Sequence, residues 1–212
     1  IGIEPDQLTF HDHLKTAHYA NAAVDIEFEF PFGRKELEGI HSRTDFDLAQ
    51  HQDLSGKKLQ YFDPELNDSY IPYVVETSVG LDRTFLAVLC NAYKEEIVDE
   101  EKGTSRVVLG ISPMLAPVKV AVLPLIRKDG LPEKAKEIFN SLRQKMMCHY
   151  EEKDSIGKRY RRQDAIGTPF CITIDHDTLN DNKVTLRDRD TMQQERIAVE
   201  EIEALVLAKI NE

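Results

Sequence analysis

Most of the features that allow chemistry to be read directly from a sequence are missing from this chain. No apolar run approaches the eighteen or more residues a membrane span needs; the longest, such as VKVAVLPLI, are strand-sized. The three cysteines, Cys90, Cys148 and Cys171, are far apart, odd in number and set among apolar neighbours. That excludes a disulfide framework and a thiolate zinc site, and makes a reducing cytoplasm the default compartment. No HExxH or CxxC pattern gathers His11, His13, His51 and His149, and there is neither a GxGxxG nor a Walker sequence. The amino end, IGIEPDQLTF, has no basic region followed by an apolar one, so it does not read as a signal peptide; it also lacks an initiator Met. The chain is expected to be a cut piece of something larger.

Basic charge is also scarce, with 27 Lys and Arg against 38 Asp and Glu and a net charge of -11. Such a balance argues against a protein that coats nucleic acid non-specifically, and no DNA partner is expected. The deficit is local. Residues 1–117 hold 10 basic and 21 acidic side chains, whereas residues 118–212 hold 17 of each. The balanced part includes KRYRR, residues 158–162, the kind of basic patch a phosphate backbone uses even on an acidic protein.

What is present suits one or two domains: 212 residues, 41% hydrophobic and 31% charged. DHLKTAHYANAA, residues 12–23, suits a single helix. In VDIEFEFPF, Val24, Ile26, Phe28 and Phe30 fall on one side of a strand and Asp25, Glu27 and Glu29 on the other. Three carboxylates on one face must be wet, paired with cations or lining a cleft, so the strand belongs to an antiparallel sheet with one open face. The polar stretch from Phe32 to Leu66 reads as loop with short helical or strand pieces. YIPYVVE is a second strand, with Pro72 near its start where a missing donor is tolerated. From Leu81 the period turns helical, through Phe85, Val88, Leu89 and Ala92.

SPMLAP combines two prolines with the change in charge balance, which places a linker at 113–117 between a first domain of 1–112 and a second of 118–212. In the second, VKVAVLPLI, PFCITID and KVTLRDRD read as strands, PEKAKEIFNSLRQKMMCHYEEK as one helix and the end, including IAVEEIEALVLAKI, as a long helix. This is a small α/β domain with a mixed sheet, because the link between PFCITID and KVTLRDRD is hairpin-sized.

The chemistry-bearing stretch is ETSVGLDR. Glu76 and Ser78, two apart on a strand, face the same way; Gly80 lets a ligand or a backbone come close; and Arg83 sits in a first helical turn where the helix dipole does not favour it. Glu76 suits a substrate ammonium and Arg83 an anionic ligand such as a phosphate. The alternative is that the two form an internal salt bridge. Glu36 and Glu38 of ELEGI, and His41, Arg43, Asp45 and Asp47 of HSRTDFD, add groups able to hold magnesium or an amine, or simply to face water. Arg159, Arg161 and Arg162 suit RNA phosphates, and Arg187 and Arg189 base edges, unless TLRDRD is only a charged surface strand.

Taken in order, AHYANAAVDIEFEFPFG, KELEGIHSRTDFDL, YIPYVVETSVGLDRTFLAVL, VKVAVLPLI, RRQDAIGTPFCITID and VTLRDRDTMQQERI resemble the carboxyl-terminal part of a bacterial glycyl-tRNA synthetase of the homodimeric kind. The resemblance covers essentially the whole chain. It implies an α+β portion of a class II catalytic domain on an antiparallel sheet, followed by a small α/β anticodon-binding domain with a mixed sheet. GLDR before an amphipathic helix resembles the third signature motif of that class. By this resemblance Glu76 and Ser78 hold the glycine ammonium, while Gly80, Leu81, Asp82 and Arg83 contact ATP. Glu36 and Leu37 are a further ATP contact, the glutamate through magnesium. Arg159, Arg161, Arg162, Arg187 and Arg189 bind tRNA(Gly). No protein nucleophile is implied, since the substrate carboxylate is one already.

Two departures qualify the resemblance. The family's first two signature motifs are absent, so this piece alone is expected neither to activate glycine nor necessarily to form the parent's homodimer. Arg34 also stands where the family usually has an aromatic. The competing reading is a non-catalytic tRNA-binding or accessory protein that kept the fold and lost the chemistry.

Overall fold

The alternation in AAVDIEFEF builds the centre of the first sheet. The computed structural model describes residues 1–101 and 103–211. They divide into two units, one of Ile3–Cys90 and one of Ile1–Gly2 with Asn91 onward.

In the first unit, β1 (Leu8–Asp12), β2 (Ala22–Phe30), β3 (Gly33–Ser42), α1 (Phe46–Ser55), β4 (Tyr61–Asp63), β5 (Asp68–Tyr70), β6 (Val75–Val79) and α2 (Leu81–Ala92) follow in chain order. The main sheet is antiparallel, in the order β1-β2-β3-β6. Phe28, Phe30 and Leu37 bury one face against Ala87 of α2, with Leu8 and Cys90 beside them. Removing such apolar surface from water stabilises by about 25 cal/mol per Å².

Three expectations for this unit change. The segment 12–23 is not a helix: Asp12 ends β1 and Ala22 begins β2, paired from Leu8↔Phe28 to Asp12↔Val24. So short a segment has too little intrinsic helix stability to resist that pairing. The stretch read as loop contains β3, the longest strand of the sheet, followed by α1. Strand β6 starts at Val75, which leaves Pro72 outside the ladder.

In the second unit, β7 (Tyr93–Asp99) and β8 (Thr104–Leu109) form a hairpin. There follow β9 (Val120–Pro124), α3 (Leu131–Leu142), β10 (Cys148–Tyr150), α4 (Ile156–Ile166), β11 (Phe170–Ile174), the single turn α5 (Thr178–Asp181), β12 (Lys183–Asp188), β13 (Gln194–Ala198) and α6 (Ile202–Ile210). The sheet runs β10-β9-β11-β12-β13, parallel across the first three strands and antiparallel beyond, so it is mixed. Alternate residues of β9 and β11 face opposite layers. Val120, Val122, Phe170, Ile172 and Ile174 pack under α3 and α6, whereas Ala121, Leu123 and Cys171 pack under Ile156 and Tyr160 of α4. A strand buried on both faces reads as a continuous apolar run, which is how VKVAVLPLI reads.

Here too the structure departs from expectation. The helix expected over 132–153 stops at Leu142, because Cys148 and Tyr150 pair with Val120 and Val122 as an edge strand. Ile197 and Ala198, expected in the final helix, close the other edge opposite Val184 and Lys183. The compact units part at Cys90 and Asn91 rather than in SPMLAP. The physical reason is that the β7–β8 hairpin carries Arg106 into the second unit, where it donates to Asp164 at 3.1 Å and to the Arg189 carbonyl at 2.8 Å.

Candidate functional site

The open face of the first sheet carries the acidic row. Asp25, Gly39 and Ser78 are cross-strand neighbours on it, as are His41 and Glu76. The register slips between Ile26 and Glu27, so that Glu38 pairs with Ile26, Glu36 with Glu27, and Leu37 has no partner. This bulge turns Leu37 into the core and leaves Glu36 on the acidic face, a re-aiming that bulges near functional sites commonly perform. Glu36 and Glu38, two apart in sequence, therefore point to opposite faces.

Each acidic side chain of β2 has a basic neighbour. His11 Nδ1 lies 3.3 Å from Glu27, His13 Nε2 lies 2.8 Å from Asp25 Oδ2, and Arg34 Nε donates to Glu29 at 3.0 Å. The carboxylate row is thus largely paired with cations or imidazoles, and Arg34, the unusual residue of this stretch, is one of the partners.

Glu76 is paired, but not with Arg83. Arg43 Nη1 donates to Glu76 Oε2 at 2.5 Å and also grips Asp47 through Nε and Nη2, at 2.6 and 3.0 Å. The guanidinium lies 4.2 Å from the Tyr19 ring centroid, a cation–π position. Asp47, then Glu76, raise the pKa of Arg43, and Arg43 lowers that of Asp47. Arg43 was recognisable only as one of several polar groups in HSRTDFD. Its i,i+4 relation to Asp47 is visible in the sequence, whereas its bond to Glu76 spans 33 positions and is not.

Arg83 points to the backbone of the bulge, with Nη1 donating to the Glu36 carbonyl at 2.8 Å. Beside this bond lies an open cleft of about 370 Å³ lined by Glu36, Leu37, Ser78, Gly80, Leu81, Asp82 and Arg83. The structure therefore gathers every residue assigned to ATP, together with Ser78. Glu76 stands beside the cleft rather than in its lining. On the other side of Asp82 and Arg83 lies a hollow of about 420 Å³ with Phe32, Lys35 and Leu86. Among the described residues no group of three or more His, Cys, Asp or Glu side chains is placed to hold a metal ion. A magnesium ion that arrives on a nucleotide needs only one or two carboxylates, and Glu36, exposed in the cleft, fits that demand.

The five arginines assigned to tRNA separate by burial. Arg159, Arg187 and Arg189 are only 1%, 4% and 2% exposed, so Arg159 is not part of a surface patch and the strand of Arg187 and Arg189 does not present them to base edges. Arg159 donates to the carbonyls of Pro124, Glu151 and Leu125, and burial lowers its pKa. Arg187 holds Asp164 and covers the Tyr160 ring at 4.7 Å. Arg189 donates to the Gly167 carbonyl and to Asp190. Burying a guanidinium requires acceptors, and carbonyls and carboxylates around the sheet supply them for the terminal nitrogens, while Arg159 Nε is buried without a partner. Arg161 and Arg162 remain partly exposed, Arg162 held by Glu151 and Asp154. They lie on α4, whose first turn borders an open groove of about 550 Å³ lined by Arg127, Lys153, Asp154, Ser155 and Arg159.

Residues 119–209 match a family described as an anticodon binding domain. The chain thus has an antiparallel α+β region followed by a mixed-sheet region at the place of the anticodon-binding domain, the architecture expected of a class II synthetase portion. The particular family follows from the whole-chain comparisons. The chain is 54% identical over 210 residues to glycine–tRNA ligase of Chlorobaculum tepidum, across 99% of this chain and 44% of that protein. It is 54% identical over 204 residues to that of Alkaliphilus metalliredigens, covering 96% and 43%, and 51% identical over 210 residues to that of Staphylococcus haemolyticus, covering 99% and 45%. The chain belongs to the glycine–tRNA ligase family, and it spans a little under half the length of these curated relatives.

Proposed function

We propose that this chain is the carboxyl-terminal portion of a glycine–tRNA ligase, supplying one wall of the glycine and ATP site and an anticodon reader for tRNA(Gly). The observation that supports it best is the convergence of Glu36, Ser78, Gly80 and Arg83 on a single cleft at the open face of an antiparallel sheet. In the reaction a glycine carboxylate oxygen attacks the α-phosphorus of ATP, the bond to the β-phosphate breaks and pyrophosphate leaves. A hydroxyl of the terminal ribose of the tRNA then attacks the carbonyl of glycyl-adenylate, and AMP leaves.

The chain's own residues position these groups. Arg83, fixed by the Glu36 carbonyl, presents its remaining N–H groups and its flat face to the nucleotide, with Gly80 allowing close approach at the start of α2. Ser78 and Glu76 take the ammonium end of glycine, Glu76 being held in place by Arg43. Magnesium, when carried in on the phosphates, supplies charge neutralisation beside Glu36. Of the five arginines assigned to tRNA, the partly exposed Arg161 and Arg162 are the ones placed to meet tRNA phosphates, Arg162 while held by Glu151 and Asp154, and Arg159, Arg187 and Arg189 brace the scaffold behind them.

Glycine-dependent exchange of pyrophosphate into ATP by the full-length protein carrying this sequence tests the reading, and its absence overturns it. The 212-residue chain on its own is expected to be inactive and is not required to dimerise. A cytoplasmic homodimer is the expected state of the full-length protein.

A further inference from the structure

Helix α2 is apolar on two sides. Toward the sheet it presents small side chains, Ala87 being buried against Phe28, Phe30 and Leu37 with Cys90 beside them. Its large apolar side chains point elsewhere. Leu81 and Phe85, four positions apart and so on one face of the helix, are 82% and 63% exposed. A helix apolar on two sides is built to be covered on both, and here one side alone is covered.

The exposed side continues onto the neighbouring hairpin. Asp82 and Leu86, the helix row next to that of Leu81 and Phe85, line the hollow of about 420 Å³ together with Phe32 and Lys35. Phe32, at the turn between β2 and β3, is itself 63% exposed, yet it stacks on Phe30 at 5.0 Å, and Phe30 packs edge-on against Phe28. The ring is thus anchored to the core while its own surface meets water. On the apolar face of the sheet, the row from Ile26 through Glu38 ends on Val79 of the edge strand β6, which is exposed as well. Within Ile3–Cys90 the buried apolar side chains are only Ala20, Phe28, Phe30, Leu37 and Ala87. Single exposed apolar side chains are ordinary, but a helix face that runs into an apolar hollow marks an interaction surface.

We propose that this side of α2, Leu81 and Phe85 with Leu86 and Phe32, is the docking surface for the portion of the same polypeptide that lies outside these 212 residues, which closes the core of the first unit from the side away from the sheet. The proposal rests on the glycine–tRNA ligase reading, under which more than half of the full-length protein lies outside this chain, as the 44% coverage of the Chlorobaculum tepidum ligase indicates. Two observations favour that occupant over a second copy. Asp82 and Arg83 line both the hollow and the cleft, so whatever supplies the cleft's other wall stands next to this surface. A tethered segment also meets the surface at a far higher effective concentration than a separate copy does.

The test uses the full-length protein with Phe85 replaced by the photoreactive benzoylphenylalanine, and Phe32 in a second variant. Irradiation and peptide mapping are expected to join each position to a peptide outside these 212 residues within one chain. A covalent dimer on a denaturing gel makes a second copy the occupant and overturns the proposal, and so do cross-links confined to the 212 residues or absent at both positions. Phe85→Ser in the full-length protein is expected to lower the thermal midpoint by about 3 °C or more, whereas a midpoint that moves by less than about 1 °C means the face meets water in the whole protein and overturns the proposal. Where Phe85→Ser does not fold, the cross-links decide. None of these readouts needs activity, so glycine-dependent pyrophosphate exchange by the wild type tests the ligase reading separately.

Discussion

Asp164 holds Arg187 through both carboxylate oxygens, at 2.7 and 3.1 Å, with both side chains buried. Burial alone would lower the pKa of Arg187, yet the Asp164 bonds outweigh it and the net shift is upward. The same carboxylate accepts from Arg106 of the β7–β8 hairpin, so one anion serves two buried cations. Removing it leaves Arg187 without its charge partner and Arg106 with Glu96 alone, the circumstance in which a buried ion pair matters most. Asp164→Ala is expected to destabilise the second unit by about 3–5 kcal/mol, measured by denaturant unfolding. A loss below about 1 kcal/mol, the range of exposed pairs, contradicts the buried-network description.

Arg187 and Arg161 should differ in kind. Arg187→Ala is expected to lower stability, as a buried group with a committed partner does. Arg161→Ala in the full-length protein is expected to raise KM for tRNA about three- to tenfold, to reduce the salt dependence of tRNA binding by about one phosphate contact, and to leave pyrophosphate exchange unchanged. An Arg161 variant that lowers both steps together removes the anticodon unit from tRNA recognition.

In the proposed function Glu76 and Arg83 divide the substrates between them. Glu76→Gln is expected to raise KM for glycine about tenfold or more with little change for ATP, because it removes the charge that faces the ammonium while keeping its shape. Arg83→Ala should do the reverse, since its guanidinium anchors on the Glu36 carbonyl inside the cleft proposed for the nucleotide. Parallel losses for both substrates in either variant would make that residue a structural one.

Arg196 ties Asp175 and Asp181 together, at 2.7 and 2.9 Å. Burial would raise the pKa of Asp175, but its bonds to Arg196 and Thr178 prevail and lower it. Asp181 is lowered by the Lys183 N–H and then by Arg196. A carboxyl group whose folded pKa is depressed contributes stability that is present above its unfolded value near 3.8 and lost as pH falls through the folded value. Arg196→Ala should therefore unfold more easily than wild type at neutral pH, with the difference shrinking as pH drops below 3.8. A difference that stays constant into acid would show that packing, and not these ion pairs, sets the effect.

The elements that were legible in the sequence are those whose pattern is local. The alternation in β2 and the apolar runs of β9 and β11 state which face is buried without reference to any partner, whereas the helical period of α2 gave the helix but not its buried face, since Leu81 and Phe85 are exposed and Ala87 enters the core. Elements that depend on a partner were not legible. The segment at 12–23 and the edge strands β10 and β13 carry weak local preferences that pairing overrode. ETSVGLDR announced itself because polar groups interrupt a core-like run, and all but one of its assigned side chains open on the cleft.

The sequence by itself determined the two kinds of architecture, the acidic row along one strand and the polar stretch at the strand-to-helix change, because period and residue type decide these within a few positions. Tertiary structure alone decided what each charge meets. It gave Glu76 to Arg43 rather than to Arg83, drew Arg159 of the supposed patch and Arg187 and Arg189 of the TLRDRD strand into the interior, and used a bulge to bring Glu36 over Gly39. Electrostatic partners are chosen by distance in space, and strand register converts positions far apart in the chain into neighbours a few ångströms apart.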